Sequence, residues 1–69
     1  MSADSNNGAA KLKAIRALWV TAHNQTGDLE GIAAEFFFAL GDLLEGHPPE
    51  ELNLRNIDAQ SFMKELRDD

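Results

Sequence analysis

An all-α fold, built as an antiparallel helical hairpin with a short third helix, is the class this chain predicts, on three observations. Apolar residues recur at helical spacing in three separate stretches, turn-forming residues divide those stretches, and no run alternates apolar and polar residues as a half-buried strand would.

The first eight residues are small and polar, and residues 1–8 are expected to be a disordered tail preceding a single small domain over 9–67. From Ala9 the pattern becomes Leu12, Ile15, Leu18, Trp19 and Ala22, with Lys11, Lys13 and Arg16 on the other sides, which predicts an amphipathic helix over 9–22. It stops where His23, Asn24, Gln25, Thr26 and Gly27 offer turn chemistry and no periodic apolar residue. A second helix is expected over 28–45. Asp28 is placed to accept from the orphan amides of the first turn, and Gly46 stands where a left-handed cap ends a helix, with Pro48 and Pro49 blocking continuation. Its inward stripe is expected to hold Leu29, Phe36, Leu40 and Leu43, with Phe37 beside it. Gly31 and Gly41 lie inside this helix, each costing about 1 kcal/mol against alanine unless a close neighbour requires it.

After the prolines, Pro49 to Leu52 can form one helical turn, and Leu52, Leu54 and Ile57 suggest a packed connector. Asp58 then reads as an N-cap, with Ile57 before it and Phe62 four positions into the helix, the hydrophobic staple arrangement. The third helix is expected over 58–67, with Phe62, Met63 and Leu66 inward.

A chain of 69 residues has room for one domain, and a domain of this size buries only about 60% of the surface its unfolded chain exposes. Small domains usually compensate with disulfides, metals or a second subunit. Cysteine is absent, which removes disulfides and thiolate metal sites, so homodimerisation into a four-helix core with the third helices outside is expected.

Charge is divided unequally. Residues 1–27 carry three bases and one acid and residues 28–69 three bases and eleven acids, so +2 and −8 give the net −6. The basic first helix is expected to pack on the acidic second. An acidic balance disfavours direct nucleic-acid binding, because phosphate contacts need a net basic patch. No apolar run reaches the roughly 20 residues of a membrane span, and a cytoplasmic location is expected. A basic amphipathic amino-terminal stretch also shares features with organelle transit peptides and with membrane-surface helices.

The residues that carry chemistry elsewhere are arranged unfavourably here. His23 and His47 fall in loops at opposite ends of the hairpin, without helical ligand spacing, so no metal and no cofactor are expected. Ser61 and Thr26 lack a neighbouring histidine, and the glycines match no phosphate-binding spacing. A non-enzyme is expected.

What remains is the run Phe36, Phe37, Phe38. Successive helical residues are about 100° apart, so if Phe36 and Phe37 face a core, Phe38 points about 200° away from Phe36, among polar and small residues. A partner-binding surface is therefore expected at Ala34, Glu35, Phe38, Gly41, Asp42 and Glu45, with the small residues permitting close approach. The expected function is a small acidic protein–protein interaction module: an adaptor, assembly factor or modulator of another protein. The alternative is an acidic inhibitor or nucleic-acid mimic that uses Glu30, Glu35, Asp42, Glu45, Glu50 and Glu51 to occupy a basic surface.

Overall fold

A computed structural model describes residues 2–67, with side chains described over 8–67. Three α-helices follow in order, α1 (Ser2–Asn24), α2 (Leu29–Leu44) and α3 (Ala59–Arg67), with a 3-10 turn at Pro49–Glu51 between the last two. The described residues contain no strand. Helix α1 is bounded at Ser2 rather than Ala9, and the tail expected over 1–8 falls almost wholly on side chains outside the described residues.

The helix ends follow local chemistry. Gly46 has φ of 99°, and its amide donates to Leu43 O at 3.1 Å while the His47 amide donates to Asp42 O at 3.0 Å. This reciprocal pair is the Schellman arrangement, and it uses two carbonyls that the last turn of α2 would otherwise leave without a partner. Asp28 occupies the N-cap position of α2 with extended backbone, but its carboxylate makes no capping bond, contrary to expectation. Asp58 does cap α3: its carboxylate accepts from the Gln60 amide at 3.0 Å and from the Ser61 hydroxyl at 2.9 Å. Ile57 and Phe62, the two halves of the staple, are both about fully buried at 1% exposure.

Lys11 Nζ donates to Leu44 O at 3.3 Å, which fixes α1 and α2 as antiparallel neighbours. Helix α3 packs on α1. The connector before it is latched to α2 by one side chain, Glu35, whose two oxygens accept the amides of Arg55 at 2.7 Å and Ile57 at 2.6 Å. A Cβ on Gly31 would stand 2.8 Å from Asn56 Nδ2 and 2.9 Å from Asp28 Oδ2, both tips of exposed side chains that would have to move aside, whereas a Cβ on Gly41 would meet nothing within 4 Å. A second long-range tie runs from the Asp58 amide to Gln25 Oε1 at 2.9 Å.

The core corrects the expected registers of both long helices. On α1 the buried residues are Ala14, Ala17, Leu18 and Thr21, while Leu12 is 67% and Trp19 54% exposed. The helix is apolar around most of its circumference, and the alanine side is chosen because it lets both neighbouring helices come close. Thr21 is satisfied there by donating to Ala17 O at 2.8 Å. On α2, Ile32, Ala39 and Leu43 are buried and Phe36 and Leu40 half-buried, but Leu29 (73%), Phe37 (71%) and Leu44 (55%) face outward. Phe37 is thus not a core residue.

Candidate protein-interaction surface

Two surfaces leave the hairpin in different directions. The first is the expected one. Phe38 is 71% exposed and meets Phe37 edge to face, with ring centroids 6.0 Å apart. It borders a shallow depression shared with Ala34, Asp42, Asn53 and Arg55, so the connector passes beside the ring without covering it. Ala34, Asp42 and Glu45 are exposed and Gly41 half-buried.

Glu35 differs from its companions, because it is engaged inside the chain. Burial alone would raise its carboxyl, but the amides of Ile57, Arg55 and Asn56, together with the Arg55 charge, outweigh this and hold it below the ordinary carboxylate value. Its oxygens serve the connector first. Asp58 is likewise held low, by the Ser61 hydroxyl and then the Gln60 amide.

At the carboxyl end of α2, Asp42, Glu45 and His47 bring ligand-type atoms within 4.8 Å of one another, all three exposed. His47 Nε2 lies 3.8 Å from Glu45 Oε1. This is a set of oxygen and nitrogen donors on an open surface, and it shares Asp42 and Glu45 with the Phe38 patch. His23 lies in the last turn of α1 instead of in the loop, and its ring stacks on Trp19 with centroids 5.0 Å apart and planes 5° from parallel.

The second surface was missed by the sequence reading. A groove between α1 and α2 is lined by Trp19, Ala22, Leu29, Ala33 and Phe36. On α1, Leu12 and Trp19 point about 150° or more from the centre of the buried stripe, and on α2, Phe37 and Leu44 point roughly 120° or more from theirs. Because the groove brings the Trp19 flank and the Leu29 flank together, these residues form one face of the hairpin. The opposite face carries α3 and the connector. The missed signal lay in the stripe itself, since Leu12, Ile15, Trp19 and Ala22 form a second apolar band beside the one that is buried.

No helix among the described residues is long and apolar enough to cross a membrane. Comparison with family models, curated proteins and solved structures finds no match to the chain.

Proposed function

We propose that this chain is a small, acidic, non-catalytic protein–protein interaction module whose partner surface is centred on Phe38, with Ala34, Gly41, Asp42 and Glu45 around it. One observation supports the reading above the rest. Among the described residues, six large apolar side chains, Leu12, Trp19, Leu29, Phe37, Phe38 and Leu44, are exposed, against five that are buried, Leu18, Ile32, Leu43, Ile57 and Phe62. Scattered exposed leucines are ordinary, but aromatic rings outnumbering the enclosed one mark a surface made for contact. Exposed acids at Asp42 and Glu45 beside Phe38 add steering toward a basic partner. Completion of the small core by homodimerisation belongs to the same reading.

A pull-down with the intact chain beside Phe38→Asp tests it. Loss of captured partner with helical content unchanged is the expected result; identical capture by both proteins would sink the Phe38 surface. A second reading, an acidic inhibitor of a basic surface, draws support from the exposure of Glu30, Asp42, Glu45, Glu50 and Glu51 together. High salt separates the two, because charge attraction is screened beyond about 10 Å at 0.1 M while apolar contact persists.

A further inference from the structure

The hairpin has one clothed face and one bare face. Among the described residues, α3 and the connector lie on the side of Ala17, Glu35 and Asn56, while Trp19, Leu29, Phe37 and Leu44 stay exposed on the other side. Leu12 stands exposed at its edge, where it also borders the depression between α1 and Glu65 of α3. We propose, resting on the interaction-module reading, that this bare α1–α2 face is occupied by a second copy of the same chain, giving a four-helix core with both α3 helices outside and the Phe38 surfaces left free.

Area is the first argument. The five named side chains expose on the order of 600 Å², which reaches the upper limit for the largest apolar patch of an ordinary monomer. With the half-buried Ile15, Phe36 and Leu40 at its centre, the face approaches the roughly 800 Å² per partner of a standard stable interface. The whole chain agrees in direction: its accessible surface is 5107 Å², whereas a compact monomer of 7.6 kDa exposes about 4300 Å². Part of that excess is the length of α1.

Width is the second. Leu12 and Trp19 stand on one helix and Phe37 and Leu44 on its neighbour, with axes about 8 to 10 Å apart. One docking helix would fill the groove at Ala22 and Ala33 but leave the outer residues wet. Two helices are needed, and an identical hairpin face supplies them.

The mass of the 69-residue chain in solution, measured by sedimentation equilibrium, tests the proposal together with Trp19 emission. Twice 7.6 kDa is expected, with an emission that shifts to the blue as concentration rises, because Trp19 is more than half exposed in the single copy. Trp19→Asp and Phe37→Asp should each raise the dissociation constant by about 30-fold or more, and Phe38→Asp, which touches the face only through the edge of Phe37, by less than about 5-fold. Where an aspartate variant loses its helical signal, the wild-type unfolding midpoint decides: a rise with concentration supports the dimer, and a constant value overturns it. A wild-type mass of 7.6 kDa at about 0.1 mM overturns it too, since such a dimer would be weaker than most specific complexes. So would dissociation by Phe38→Asp with Trp19→Asp still paired. A monomer that captures its partner through Phe38 defeats the dimer alone, and a dimer that captures none defeats the Phe38 reading alone.

Discussion

The two faces of the α1–α2 hairpin are made from the same kinds of residue and have opposite fates. Within the copy, the two helices bury Ala14, Ala17 and Ala39 together with Leu18, Ile32 and Leu43, and close over Ile57 and Phe62. Outward they present Leu12, Trp19, Leu29, Phe37 and Leu44, and enclose none of them. Position around each helix decides the division, and the alanines on the inner side let the elements approach. Small residues allow close approach of three elements within one copy, and bulky residues at the outer band leave a surface that something of matching shape must cover.

Substitutions should differ most between the enclosed staple and the exposed Phe38 ring beside the connector. Phe62→Ala removes a ring at 1% exposure and should cost about 3 to 5 kcal/mol in denaturant unfolding, whereas Phe38→Ala should change monomer stability by less than about 0.5 kcal/mol. A comparable loss at Phe38 would mean that the connector side is packed more firmly than its exposure implies.

Gly46→Ala should be the next largest effect, about 1 kcal/mol or somewhat more, because φ of 99° places a Cβ in a region that L-residues avoid. Thermal unfolding reads it directly.

Glu35→Gln probes the latch that holds the connector to the covered face. Its charged form accepts two amides, so the substitution should cost on the order of 1 kcal/mol at neutral pH, reduced from a buried value by solvent. The sign with pH follows from a folded-state pKa that lies below the unfolded one. The Glu35 contribution is fully present above the ordinary carboxylate value and is lost as pH falls through the lower folded value. Acid titration of stability should therefore be shallower for Glu35→Gln than for the wild type, and equal slopes would exclude the latch as an acid-sensitive element.

Gly41→Ala gives the smallest expected effect and the opposite sign. With nothing within 4 Å of the added methyl, helix propensity alone acts, and stability should rise by up to about 1 kcal/mol. Gly31→Ala lacks that freedom because Asn56 Nδ2 stands 2.8 Å away, so the two glycines should separate under the same measurement.

What could be read from the sequence was mostly what is local. Gly46 before two prolines announces the end of α2, and Ile57, Asp58 and Phe62 announce the start of α3, because caps and staples involve residues within a few positions of one another. Helical existence and the exposure of Phe38 followed from periodicity. The register of α1 did not, since Leu12, Ala14, Ile15, Ala17, Leu18 and Trp19 wrap most of the helix and hydrophobicity alone does not choose between alanine and leucine. Tertiary packing chose. The Glu35 latch was equally hidden: on a helical wheel its carboxylate looks like a solvated charge, and only the return of residues 55 to 57 past α2 gives it two amides. The difference between Gly31 and Gly41 has the same origin.

The bond between the Asp58 amide and Gln25 joins positions 33 apart in the chain. It can form only where the turn that carries Gln25 and the segment entering α3 lie side by side, which closes a longer loop than the α1–α2 contacts near the turn do. The amide proton of Asp58 is therefore a natural clock for docking of the last helix, becoming protected from solvent deuterium when α3 closes onto α1.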